Sequence, residues 1–258
     1  MSRIDPRAAV SPQAQLADDV QVGAFAVIGP DVVVGPGCVI APHAIVNGPT
    51  TLGANNQVFQ FASIGDAPQD KKYKGEPTRL TIGDRNVFRE YVTVNRGTVT
   101  GHGVTRIGSD NLLLAYSHVA HDCILGDNIV LSNVVMLGGH VELGDWVIMS
   151  GYSGAHQFSK IGAHAFIGNN TAVTRDVPPY VLATGQPAEP RAVNSEGLKR
   201  RGFSEVQIRA IRNAYRVLYR SDLKLDVAVE KLTQMAGEHE VLKPFVEFIG
   251  RSTRSLVR

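Results

Sequence analysis

Aliphatic side chains recur every sixth residue through most of this chain. From Ile4 the series runs Val10, Leu16, Val22, Ile28, Val34, Ile40, Val46, Leu52, Val58 and Ile64, then resumes at Ile82, Phe88 and Val94. A second series, displaced by one residue, runs Ile107, Leu113, Val119, Leu125, Leu131, Leu137, Leu143, Met149, Ala155, Ile161, Ile167 and Val173. Glycine follows the aliphatic in 12 of these 26 hexads, and the residue two before it is usually small or β-branched, as in Val20, Ala26 and Val32. A helix repeats at about 3.6 residues and a strand at about 2, so neither produces this period. A hexapeptide β-helix does: each hexad is a short strand plus a turn, and three hexads close a triangular coil of about 18 residues. The aliphatic points into the prism, glycine relieves the corner, and coils stack at about 4.8 Å. The expected fold is mainly β, a left-handed parallel β-helix.

Two segments break the period, at 65–81 and 95–106. Ile82 follows Ile64 by three hexads, one coil's length, so the first excursion can leave and rejoin in phase. Loops leaving a solenoid tend to gather on its working face. The period ends after Val173, and Pro178, Pro179 and Pro187 suggest a linker. Helical patterning follows. Ser204 with Gln207 forms a capping box, Ile208, Ile211, Tyr215 and Leu218 make an apolar stripe, and Arg209, Arg212, Arg216 and Arg220 make a basic one beside it. Further helices are expected over 225–237 and 243–253. The domains are therefore 1–189, the β-helix, and 190–258, a helical cap that covers the last coil.

Composition sharpens this picture. Aromatics are only 7% of the 258 residues and glycines number 26, as a narrow prism requires. The formal charge of +2 hides a division: residues 1–189 carry 12 Lys and Arg against 16 Asp and Glu, residues 190–258 carry 14 against 8. A basic cap favours an acidic partner or a phosphorylated ligand, and no helix–turn–helix or finger pattern points to duplex DNA. No apolar run approaches the roughly 20 residues of a membrane span, and the N-terminal residues do not resemble a signal peptide. Two cysteines make no disulfide framework, so a cytoplasmic location is expected. Cys38 and Cys123 fall two before an aliphatic and are expected to be packing residues.

The period also turns spacing into geometry, because residues one coil apart share a slot on successive coils. His121, Gly139 and Gln157 form one such column, and Asp122 and His140 share the adjoining slot. His118 and His156 lie close by. Histidine suits a reaction that both takes and gives a proton near neutral pH, an adjacent carboxylate can fix its tautomer, and a glycine offers an open N–H to an oxyanion. No Gly-x-Ser-x-Gly elbow appears, which favours direct transfer by a general base over a covalent intermediate. Two other readings remain: a zinc-dependent hydratase, since some hexapeptide-repeat trimers hold zinc with three histidines, and a non-catalytic binding scaffold.

Specific stretches carry a resemblance: QFASIG at 60–65, YKGEPTRLTIGDRN at 73–86, VNRGTV at 94–99, SDNLLLAYSHVAHDC at 109–123, GGHVELGDW at 138–146, AHQFSKIGAH at 155–164, DVPPYV at 176–181 and NSEGLKRRGFS at 194–204. With them the chain resembles the acyl-[acyl-carrier-protein]–UDP-N-acetylglucosamine O-acyltransferases, which open lipid A synthesis in Gram-negative bacteria. The resemblance implies transfer of a 3-hydroxyacyl group from acyl carrier protein to the 3-hydroxyl of UDP-N-acetylglucosamine, by a homotrimer with sites between subunits and with no metal or cofactor. It implies His121 as general base, Asp122 as its orienting carboxylate and Gly139 as the oxyanion donor. It further implies substrate contacts from Asp70, Lys72, His118, His140, His156 and Gln157, and from Asn194, Glu196, Arg200 and Arg201 in the cap. Asn169 stands where long-chain members of the family have glycine, so a shorter acyl chain is expected. The basic stripe is a candidate dock for the carrier protein.

Overall fold

The computed structural model describes residues 3–252 and 254–258. Its strands are mostly two residues long and form three parallel sheets, the faces of a triangular prism. We call them A, B and C in the order in which the chain visits them. Equivalent strands pair one coil apart, as in Gln21↔Val39 and Val39↔Gln57 on face A. The inward residue of each pair is aliphatic and buried: Ile28, Val46, Ile64, Leu113, Leu131 and Met149 are each at most 1% exposed. Each such side chain contributes roughly 1.5–3 kcal/mol by leaving water. The left-handed β-helix read from the period is therefore the observed fold.

At most corners beyond the first coil one residue adopts positive φ, including Asp122 (59°), His140 (62°) and Phe158 (66°). Cys38 and Cys123 are free and buried, and burial pushes the Cys123 thiol up to about 12. In the slot of Cys38 at the C-to-A corner, Asn56, Asn86 and Asn111 form a buried ladder. The Asn86 side chain donates to Asn56 Oδ1 (3.0 Å) and its own Oδ1 accepts from the Asn111 N–H (3.0 Å).

Both excursions leave from the corner between faces B and C. Strand pairing trims them: Ser63–Asp66 and Arg79–Ile82 bound the first, Thr93–Asn95 and Val104–Ile107 the second, leaving loops 67–78 and 96–103. The first is not a coil's worth of chain. Gln57 pairs with Val87, where the undisturbed repeat would bring position 75 opposite it, so the length of two hexads is inserted. Ile64 and Ile82 consequently occupy neighbouring faces of one coil. Val87 pairs with Leu112, where the repeat would bring position 105, so the second insertion is one residue longer than a hexad. That odd residue accounts for the displacement between the two aliphatic series.

The proline-rich segment is not a free linker. Val177 bridges to Ile161, Val181–Thr184 extends face A, and Glu189–Val193 pairs antiparallel with it, across position 189/190. Four α-helices follow among the described residues, α1 (Ser195–Arg200), α2 (Glu205–Tyr219), α3 (Leu225–Glu238) and α4 (Lys243–Arg251), with a 3-10 turn at Glu240–Leu242 before the last. The capping box at Ser204 and Gln207 starts α2, and Ile208, Ile211, Tyr215 and Leu218 are buried. The Tyr180 hydroxyl donates to the Val241 carbonyl (2.9 Å), tying the helices to the prism. Arg209, Arg212, Arg216 and Arg220 are exposed.

Candidate active site

The B-to-C corner stacks His121, Gly139 and Gln157 on successive coils, as the spacing requires. Backbone bonds hold the stack: His140 N–H donates to the His121 carbonyl (3.0 Å) and Phe158 N–H to that of Gly139 (2.9 Å). The His121 ring lies directly over Gly139, where a Cβ would sit 2.6 Å from its Cε1 and 2.8 Å from its Nε2. Any side chain there would displace the imidazole. The Gly139 N–H has no partner among the described residues.

His121 Nδ1 is 2.9 Å from Asp122 Oδ2. Asp122 is fully buried, and the second loop supplies most of its donors. The Thr98 hydroxyl donates to Oδ2 (2.6 Å), the Thr98 N–H lies 3.1 Å from both oxygens, and the His102 N–H donates to Oδ1 (2.9 Å). The Asp122 N–H donates in turn to the Thr105 hydroxyl (2.8 Å). Burial alone would push this carboxyl up. The bonds from His121, Thr98 and the His102 backbone outweigh it and hold the group at about 2. An ionised Asp122 keeps the proton on Nδ1 of His121 and leaves Nε2 bare as an acceptor.

His140 stands one coil above Asp122, with Nε2 3.8 Å from Oδ2, and Phe158 stacks on its ring at 4.3 Å. Burial lowers its basicity, partly countered by Asp122. His118 receives or gives one hydrogen bond with the Thr93 hydroxyl (2.8 Å), and burial followed by repulsion from His121 lowers its basicity.

Two cavities meet at His121. One, about 720 Å³, runs along face B and is lined by His118, Ala120, Met136, Gly154, His156 and Ala172 among others; small residues hollow it out. The other, about 620 Å³, lies under the first loop and is lined by Asp70, Lys72, His121, His140, Gln157 and Phe158 among others. Both sizes suit small-molecule ligands.

Nine of the expected residues thus gather at one corner: His121, Asp122, Gly139, Asp70, Lys72, His118, His140, His156 and Gln157. Five do not. Asn169 is exposed at the A-to-B corner and is not among the residues lining the groove, although Thr171 is. Asn194 caps α1, accepting from the Gly197 N–H (3.2 Å) and donating to the His164 carbonyl (2.9 Å) at the C-to-A corner. Arg201 reaches His164 Nδ1 (3.2 Å) and lies 5.0 Å over the Trp146 ring. Burial, with Arg201 beside it, pushes His164 down to about 4. Glu196 pairs loosely with Lys199 (3.7 Å), and Arg200 is exposed.

The spacing did not reveal Thr98, Gly101, His102 or Thr105. Gly101 is as constrained as Gly139, because a Cβ there would lie 2.5 Å from the Asp122 carboxylate and 2.6 Å from His140 Cε1. Their signal is the break in the period at 95–106, which contains the glycine- and threonine-rich run TVTGHG at 98–103.

Relatives decide the family. A curated protein of Thiobacillus denitrificans, acyl-[acyl-carrier-protein]–UDP-N-acetylglucosamine O-acyltransferase, is 50% identical over 203 residues, 79% of each chain. This chain belongs to that O-acyltransferase family. The UDP-N-acetylglucosamine acyltransferase structure from Francisella novicida superposes with a TM-score of 0.97 at 42% identity, covering 99% of this chain and 94% of that one. The O-acyltransferase structure from Moraxella catarrhalis gives 0.97 at 41%, covering 99% of both. A family profile described as Udp N-acetylglucosamine O-acyltransferase, Domain 2, matches residues 176–257, and one described as Bacterial transferase hexapeptide (six repeats) matches 13–48. The Domain 2 match therefore spans the end of the prism, from Asp176, and the helical segment.

The depressed Asp122 carboxyl has a thermodynamic consequence. Its stabilising contribution is complete above the unfolded value near pH 4 and is lost as pH falls towards the folded value, about 2. Denaturant titrations should show wild type losing about 2 kcal/mol from this group over that window, and Asp122→Asn lacking that slope. Equal slopes in the two proteins would contradict the ionised, hydrogen-bonded Asp122.

Proposed function

We propose that this protein transfers a 3-hydroxyacyl group from acyl carrier protein to the 3-hydroxyl of UDP-N-acetylglucosamine, the first step of lipid A synthesis. The observation that carries this reading is His121 at the junction of the two cavities, its Nδ1 on Asp122 and its ring over Gly139. The groove lined by Ala120, Met136 and Gly154 suits an acyl chain. The cavity with Asp70, Lys72 and His140 suits a hydroxylated, phosphorylated acceptor.

His121 Nε2 takes the proton of the sugar hydroxyl as the oxygen attacks the thioester carbonyl. The tetrahedral oxyanion accepts the Gly139 N–H. Collapse breaks the C–S bond, and the imidazolium returns the proton to the leaving thiolate. The products are the 3-O-acyl sugar nucleotide and a free carrier-protein thiol. His121, Asp122 and His140 could in principle approach one metal ion. The Asp122 oxygens, however, already accept from Thr98, His102 and His121, so this donor set suits a proton relay better.

We infer a homotrimer. Asn194, Glu196, Arg200 and Arg201 belong to the cap, with Asn194 and Arg201 on the C-to-A corner, whereas His121 is on the B-to-C corner. They serve one site if the corner of a second copy meets that of the first, a heterologous contact that closes as a ring. Exposed Val27, Ile45 and Met136 on face B, beside Phe61, Tyr91 and Tyr116 at its edge, offer apolar surface for this contact. No described helix is long and apolar enough to cross a membrane, and the two buried free thiols are compatible with the cytoplasm.

His121→Ala should lower turnover by roughly 10²–10⁴-fold without changing assembly or melting. Near-full activity would end the assignment, and loss of wild-type activity on exhaustive chelation would revive a metal mechanism. The exposed stripe Arg209, Arg212, Arg216 and Arg220 is proposed to receive the acidic carrier protein, with Arg209 and Arg216 as the two test positions. Reversing both should raise its apparent KM about tenfold, sparing that of the sugar nucleotide, and unmoved constants would make the stripe plain surface. Asn169 is proposed to shorten the accepted chain to about ten to twelve carbons where the neighbouring copy closes the groove. Excluding two to four methylenes, at ~0.8 kcal/mol each, gives roughly 15- to 150-fold selectivity. Asn169→Gly should shift preference towards longer chains in a product assay by mass spectrometry; an unshifted preference would place the length limit elsewhere.

A further inference from the structure

Beyond α4 the chain turns back onto the last coil. Asp176, fully buried, anchors it: one carboxylate oxygen accepts the Lys160 N–H (2.8 Å) and the other the Ser252 hydroxyl (2.7 Å). The Asp176 N–H donates to the Ser255 carbonyl (3.0 Å), its carbonyl accepts the Val257 N–H (2.9 Å), and Leu256 and Val257 are buried. Arg254 stands between these anchors. Its Nη1 donates to the Gln157 carbonyl at 3.1 Å. Its Nε is buried with no partner among the described residues, where the Gln157 carbonyl is the acceptor that the guanidinium reaches.

The carbonyl belongs to the corner His156–Gln157–Phe158, three consecutive exposed side chains. His156 and Gln157 line the groove on face B, while Gln157 and Phe158 line the polar cavity. Phe158 also stacks on His140. His156 Nδ1 lies 3.1 Å from the same Gln157 carbonyl, so that ring too takes its orientation from it. A charged donor on that oxygen therefore braces the backbone of the corner whose Gln157 and Phe158 side chains line the acceptor side of His121.

We propose that Arg254 is a positioning residue for the sugar nucleotide, acting through the Gln157 carbonyl from the C-terminal tail. The proposal rests on the acyl-transfer reading. Its test uses the full-length chain as wild type, Arg254→Ala and Arg254→Lys, with UDP-N-acetylglucosamine varied at saturating acyl carrier protein. Losing one charge-assisted bond should raise KM for the sugar nucleotide about tenfold in the alanine variant, with kcat and the carrier-protein KM within about threefold. Lysine keeps a charged donor and should restore KM to within about threefold of wild type. Melting temperatures of all three should agree within about 2 °C. An active alanine variant with unchanged sugar-nucleotide KM overturns the proposal, as does a loss that lysine fails to recover and that follows a lowered melting temperature. Absence of transfer by wild type would instead end the acyl-transfer reading.

Discussion

The site depends on register, and register depends on a backbone bond repeated from coil to coil. His140 N–H to His121 and Phe158 N–H to Gly139 are one bond at successive heights of the B-to-C corner, and Tyr152 N–H to Asn133 is its equivalent at the A-to-B corner. Each is worth only about 1 kcal/mol net, but a slip of one residue would turn every inward aliphatic to solvent. The hydrophobic prism thus fixes the corners, and the corners fix His121 over Gly139. Donor and base are held before any ligand arrives, so little reorganisation is needed when charge develops.

A bare β-helix corner could not hold an ionised Asp122. The carboxylate is wholly buried, and an unpaired charge there would neutralise. Loop 96–103 removes that difficulty by folding over the corner and presenting the Thr98 hydroxyl and two backbone N–H groups. Gly101 allows this approach, since any side chain would strike Asp122 and His140. The second loop is therefore part of the base, not merely a wall of the cavity.

The prism was legible in the chain because its period is strict. The His121–Gly139–Gln157 column was legible for the same reason, as each step in it is one whole coil. Thr98 and His102 meet Asp122 across 24 and 20 residues, offsets set by a folded loop rather than by the repeat, and slot arithmetic fails there. Pro178 and Pro179 suggested a linker because proline is common in linkers, but here Pro179 fills the corner against Gly162 and the coil continues. The cap residues Asn194 and Arg201 came from family resemblance alone, and one chain keeps them on a corner away from His121. Arg254 had no signal, because only the folded tail brings it 97 positions back to Gln157.

Trp146 is the sole tryptophan, and it lies at the seam where Arg201 of the cap covers the prism. Its indole is stacked in parallel with His164 at 6.3 Å and capped by a guanidinium at 5.0 Å. The protein thus carries a single intrinsic indole fluorophore, and its emission colour and intensity follow the seating of the cap on the C-to-A corner. Undocking the helices would strip the Arg201 guanidinium from an indole that is already 38% exposed, and so change its emission. The order in which the two parts of the chain come apart can be followed without attaching a dye.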